Sequence, residues 1–134
     1  MSNDLDRNQH SAYILHYHLV LVIKYRRKVI IGNVPKLLVE IFKNIGKSYG
    51  IILEEFNWEE DHIHFLFRAK PQTELVKFIN SYKSASSRIV KKQFSEIKYL
   101  LWNNKFWKTG YFLSTTGGAN IDVIKKYIEN QRRK

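Results

Sequence analysis

The sequence predicts an α+β fold, a ferredoxin-like or RRM-like antiparallel sheet with helices on one face plus an appended C-terminal helix. Three observations lead there. Hydrophobic periodicity gives the element order β, α, β, β, α, β, α, which is the split βαβ pattern with one extra helix. The stretch from His62 to Ala69 alternates residue by residue, as a strand with two unlike faces must. A length of 134 residues suits a single domain spanning 1–134. In this architecture the helices cover one face of the sheet and leave the other free for a ligand.

Each element has its own signal. Tyr13 to Tyr25 is rich in aromatic and β-branched residues, and Leu19 to Ile23 is nearly all apolar, which predicts a buried central strand. Asn33 and Pro35 start a helix whose Leu37, Leu38, Ile41, Ile45 and Tyr49 recur at helical spacing until Gly50. Ile51–Trp58 and His62–Ala69 read as a hairpin around the acidic turn Glu59, Glu60 and Asp61. Pro71 and Thr73 announce a second helix with the stripe Leu75, Phe78, Ile79, Tyr82, Ile89 and Val90. Lys98 to Thr109 is aromatic and carries no periodicity that assigns it. Tyr111–Thr115 reads as a strand, and a last helix starts at Asn120 or Ile121.

Composition narrows the function classes. The 23 Lys and Arg against 12 Asp and Glu give a formal charge of +11, which favours a polyanion such as nucleic acid, although excess charge also serves solubility. Lys24, Arg26, Arg27 and Lys28 crowd around Tyr25, pairing cations for phosphates with a ring that can stack on a base. Arg88, off the apolar stripe of the second helix, is a further candidate for nucleic-acid binding. With no cysteine in the chain, disulfides, thiolate catalysis and Cys-based zinc sites are excluded. No apolar run reaches membrane-spanning length and the first nine residues are polar, so a cytoplasmic protein with no membrane partner is expected.

Two pairs of residues can carry chemistry. His62 and His64 lie on one face of their strand, about 6.6 to 6.8 Å apart along it, close enough for two imidazoles to converge on one ion. Asp61 adjoins them as a ligand or as an orienting partner. His16 and His18 form a second H-x-H, and periodicity does not choose between the pairs; two half-exposed histidines also need no metal. On the last helix Tyr127 and Gln131 are four residues apart and share a face beside the stripe Ile121, Ile124 and Ile128. A phenol can attack phosphorus and an amide oxygen can ligate a metal, while a tyrosine at the rim of a core is the ordinary structural use of such a position.

Four segments in order resemble the single-tyrosine HUH transposases of the TnpA type, which move insertion sequences through single-stranded DNA. They are Tyr17-His18-Leu19-Val20 leading to Lys24-Tyr25-Arg26-Arg27-Lys28, then Asp61-His62-Ile63-His64, then Phe106-Trp107-Lys108-Thr109-Gly110-Tyr111-Phe112 with Ser114-Thr115 and Gly117, and finally Lys126-Tyr127-Ile128-Glu129-Asn130-Gln131. The resemblance covers nearly the whole chain. It implies Tyr127 as nucleophile on a catalytic helix, and His62, His64 and Gln131 as ligands of Mg2+, with Mn2+ or another divalent ion as substitutes. It also implies a homodimer that binds hairpins at element ends, and a cut that leaves a 5′ phosphotyrosine and a free 3′ hydroxyl. In such families the tyrosine helix of one subunit often serves the histidines of the other; Gly117 and Gly118 would suit a hinge before it. Glu60 stands where many relatives have proline. The rival readings are a noncatalytic RRM-like nucleic-acid-binding module and a domesticated HUH nuclease that processes repeated hairpins.

Overall fold

The structure, a computed structural model, describes residues 6–7, 12–13, 15–115 and 121–131. Strands β1 (Asp6–Arg7) and β2 (Ala12–Tyr13) pair as a small ribbon of their own. The main sheet contains β3 (His16–Val22), β4 (Ile52–Glu59), β5 (His62–Arg68) and β6 (Phe112–Thr115) in the order β4-β5-β3-β6, with every pairing antiparallel. This is the strand order of the expected split βαβ pattern. Helices α1 (Val34–Ser48) and α2 (Leu75–Gln93) pack on one face, and α3 (Ile121–Glu129) follows β6.

The face under α1 and α2 is closed by aromatic packing. Leu19, Leu21, Ile63, Phe65 and Phe67 point into it and are fully buried. Phe42 of α1 is its hub, stacked on Phe65 at 4.1 Å between centroids and edge-on to Phe78 and Tyr82 of α2. Such offset and edge-on pairs add to the burial of apolar area. Tyr82 is wholly buried, and its hydroxyl donates to the Leu38 carbonyl at 2.9 Å, which ties the two helices together without an unpaired polar group. α1 ends at Gly50, whose φ of 70° turns the chain so that the Ile51 N–H reaches the Gly46 carbonyl.

The opposite face differs from expectation, because it is not wholly free. Val20 and Val22 of β3 are covered by Ile124 and Ile128 of α3 in a second, smaller cluster with Phe112 and Tyr127 at its edge. Two valines on that face would be exposed apolar surface without a cover, and α3 supplies it. The first strand is also shorter than the predicted Tyr13–Tyr25. It stops where Lys24–Arg26 winds into a 3-10 turn with Tyr25 and Arg26 at φ of 57° and 53°. The unassigned aromatic stretch resolves into a 3-10 turn (Ser95–Tyr99), a tight Trp102–Lys105 hairpin and a bridge from Trp107 to Ile23 that prolongs the β3–β6 pairing. No helix among the described residues is long and apolar enough to cross a membrane.

Candidate active site

The alternation of β5 places His62, His64, Leu66 and Arg68 half-exposed on the α3 side while Ile63, Phe65 and Phe67 enter the core. His62 and His64 line one cavity of about 540 Å³, with Arg26, Asn57 and the outer edge of β4 on the sheet side. Its other wall is α3, through Ile124, Lys125, Ile128 and Glu129.

Asp61 organises one half of this site. Its Oδ1 accepts from His62 Nδ1 at 2.8 Å and its Oδ2 accepts from Arg26 Nε at 2.9 Å. Burial alone would raise the Asp61 pKa, but the hydrogen bonds from His62 and Arg26 outweigh it and hold the carboxyl below its ordinary value. A carboxylate on Nδ1 leaves the lone pair of the neutral His62 ring on Nε2. His64 meets a different partner. Its Nε2 lies 2.7 Å from His18 Nδ1 across the β3–β5 ladder, so one ring donates and the other accepts. Burial first, then the charges of His18 and His62, lower the His64 pKa to about 4, and the ring is neutral at physiological pH. Burial also lowers the pKa of His18, partly offset by Glu55.

In the sequence His18 stands as half of a rival H-x-H, and its role as a partner of His64 is not legible there. The signal was the register. His18 pairs with Leu66 and Val20 with His64, so His18 is a diagonal neighbour of His64 on the same face. His16 Nδ1 instead lies 2.8 Å from Glu54 Oε1, next to Arg68 and away from His62.

Tyr127 is on α3, whereas Gln131, expected on the same helix, lies two residues past its end, and neither lines the histidine cavity. The Tyr127 ring packs on Phe112 of β6, 5.5 Å between centroids, and burial raises its pKa. Phe112 pairs with Val20, which pairs with His64, so the tyrosine packs about two strand spacings, roughly 10 Å, from the His64 column. The Gln131 amide donates from Nε2 to the Tyr127 carbonyl at 2.7 Å, which leaves its Oε1 as the acceptor end. Gly117 and Gly118 lie outside the described residues.

The basic candidates separate into two regions. Lys24, Tyr25 and Arg26 form the strained turn beside the cavity, with Arg27 and Lys28 exposed after it. Arg88 instead lines a groove of about 730 Å³ between α2 and the Trp102–Lys105 hairpin, together with Lys83, Lys91 and Lys105 and with no acidic residue in its wall. α2 covers the core face of the sheet, so this groove is on the far side of the sheet from the histidines. Lys83 is already committed there, donating to the Lys108 and Gly110 carbonyls, both at 2.9 Å.

Comparison with known proteins converges on one group. The family model described as "Transposase IS200 like" matches residues 11–131. The chain is 30% identical over 131 residues to the ISDra2 transposase TnpA of Deinococcus radiodurans, covering 98% of this chain and 94% of that one. It is 30% identical over 122 residues to the transposase for insertion sequence element IS200 of Salmonella typhimurium, covering 91% and 80% of the two chains. Among solved structures, that of a presumed transposase from Deinococcus radiodurans R1 superposes with a TM-score of 0.87 at 29% identity, over 96% of this chain and 99% of that one.

Proposed function

Because the chain belongs to the family of IS200-like transposases, whose activity is DNA cleavage and strand transfer, we propose that it cuts and rejoins single-stranded DNA through a phosphotyrosine on Tyr127. The observation that carries this reading is the convergence of His62 and His64 on one cavity beside a basic turn, with Asp61 fixing the ring of His62.

The two histidines fit a divalent ion. His62 presents Nε2 because Asp61 occupies Nδ1, and His64 is neutral, as an imidazole ligand must be, although binding through its Nε2 would require release from His18 Nδ1. Among the described residues no group of three or more His, Asp or Glu side chains forms a complete ligand set, and Gln131 of the same chain does not face the cavity. A bound Mg2+ or Mn2+ would polarise a nonbridging phosphate oxygen and ease departure of the 3′ oxygen.

The chain's own groups divide the remaining work. Arg26 and the neighbouring Lys24, Arg27 and Lys28 hold the phosphate backbone at the mouth of the cavity. The Tyr127 oxygen attacks phosphorus as the P–O3′ bond breaks; the phenolic proton passes to solvent and the 3′ oxygen leaves as a hydroxyl after taking up a proton. The energy of the broken ester is kept in the phosphotyrosine, so a later attack by a 3′ hydroxyl rejoins the strand without ATP.

Tyr127 and Gln131 do not line the cavity that α3 walls, and this supports a homodimer in which they complete the histidine site of the other subunit. Hairpins at element ends are the proposed binding targets, with the basic groove around Arg88 as an additional contact for the duplex backbone. The test is incubation with single-stranded oligonucleotides from the flanking genomic DNA, scored for a protein–DNA adduct that survives denaturation. The parent protein should form it and Tyr127→Phe should not, while retaining DNA affinity. An adduct at parental level in Tyr127→Phe would sink the assignment.

A further inference from the structure

We infer that Tyr25 and Trp102 form a stacking clamp for one unpaired base of single-stranded DNA, joined to the histidine cavity through Arg26, the residue after Tyr25. The inference deepens the proposed action on single-stranded DNA and rests on it.

Backbone geometry is the first observation. Among the described residues, the non-glycine positions with positive φ are Tyr25 and Arg26 at 57° and 53°, and Asn103 and Asn104 at 52° and 59°. All four fall in two loops that meet. The asparagines make a two-residue hairpin turn under the Trp102–Lys105 bridge, a use for which asparagine is suited. Tyr25 and Arg26 have no such preference, so their conformation is imposed by surrounding contacts. The Lys24 N–H donates to the Phe106 carbonyl at 2.9 Å, which binds the turn to the segment leaving the hairpin, while the Arg26 N–H closes the turn on the Ile23 carbonyl at 2.7 Å. Strain of this kind, held from outside, concentrates at ligand clamps.

What the two loops hold up is the second observation. The rings of Tyr25 and Trp102 meet edge to face, 4.9 Å between centroids at 88°. In that geometry the ring offering its edge keeps its own faces uncovered by the other. Trp102 is 40% exposed, so its ring is open to a second flat surface. Lys24 Nζ stands 5.1 Å from the Tyr25 centroid, and Lys105 closes the hairpin. Aromatic faces interleaved with cations are the ordinary construction of a single-strand binding site, rings taking the bases and cations the phosphates.

Continuity with the cavity is the third. Arg26, the residue after Tyr25, lines the histidine cavity and donates to Asp61, which in turn holds His62. A base stacked on the clamp therefore sets the adjoining phosphodiester at the cavity mouth. The clamp acts as a positioning device, and its base fixes which phosphate faces His62 and His64.

The test titrates the full-length protein with a mixed-sequence single-stranded oligonucleotide, following tryptophan emission, and compares the parent with Trp102→Phe and Trp102→Ala. The parent should show quenching that is largely lost in Trp102→Phe, which keeps a ring at the hairpin. Trp102→Ala should weaken single-strand binding by roughly 5- to 100-fold, the size of one stacked base, and leave blunt duplex binding unchanged. Parental quenching in Trp102→Phe, or parental single-strand affinity in a folded Trp102→Ala, would overturn the clamp. The adduct assay of parent and variants on single strands from the flanking genomic DNA separates the two claims. An adduct without any Trp102 effect rejects the clamp alone, and Trp102-dependent binding without an adduct rejects the phosphotyrosine reading alone. A parent protein that does not bind single strands rejects both.

Discussion

The two faces of the sheet are made by the same strands through the same alternation, and they differ in nearly every other respect. Toward α1 and α2 every inward residue of β5 is apolar and fully buried, and Phe42 locks the layer through four aromatic neighbours. Toward α3 the same strand presents two histidines and an arginine, and only the Val20–Val22 patch is sealed. A face filled with aromatic rings has one good arrangement, whereas a face held by a few imidazole and carboxylate hydrogen bonds leaves room for a substrate and for movement of the helix above it. Stability is built on one side, and the proposed chemistry lies on the other. Phe65 and Phe67 are in the core, so the sheet cannot stack bases on them as an RRM-like module would.

The sharpest way to break this comparison is to substitute neighbouring residues of β5 that point in opposite directions. His62→Ala and His64→Ala should each reduce DNA cleavage below detection, with the double variant little worse than either, because ligands sharing one ion act as a unit. His16→Ala should retain cleavage. Thermal unfolding of the two histidine variants should shift little. Phe65→Ala should do the reverse in kind, costing about 3–5 kcal/mol of unfolding free energy through the cavity it leaves, measured by denaturant titration. Loss of fold in a histidine variant, or a mild Phe65→Ala, would dissolve the division between the faces.

A smaller effect sharpens it. Asp61→Asn keeps the size of the side chain but weakens its grip on both His62 and Arg26. Divalent-ion affinity, followed by calorimetry, should fall roughly 10- to 100-fold, as for other partners that orient a metal-binding histidine. Unchanged affinity would show that Asp61 serves only to pin the Lys24–Arg26 turn.

Legibility in the sequence followed the range of the interactions. The alternation of His62–Arg68, the stripe of α1 and the stop at Gly50 are local patterns, and the structure agrees with them to within a few residues. The pairing of His18 with His64 depends on the register between residues 46 positions apart, which no local pattern encodes. The stretch from Lys98 to Thr109 resisted assignment because its order comes from distant partners, Ile23 for Trp107 and the Ser86 hydroxyl for the Trp107 indole N–H. Nor could the sequence reveal that Tyr25, in a run resembling a strand end, adopts a left-handed conformation. The helical spacing of Ile124 and Ile128 gave a core stripe for α3, but not the face of the sheet it covers.

That docking of α3 bears on the central claim, a site in which His62 and His64 of one subunit are completed by Tyr127 and Gln131 of the other. Mixing Tyr127→Phe with His64→Ala under conditions that exchange subunits tests it most directly. Each variant alone should be inactive, and the heterodimer should regain a covalent DNA adduct, since one of its two sites then carries both lesions and the other carries neither. An inactive mixture, with heterodimers verified by native mass spectrometry, would place both halves of each site in one chain and contradict the account.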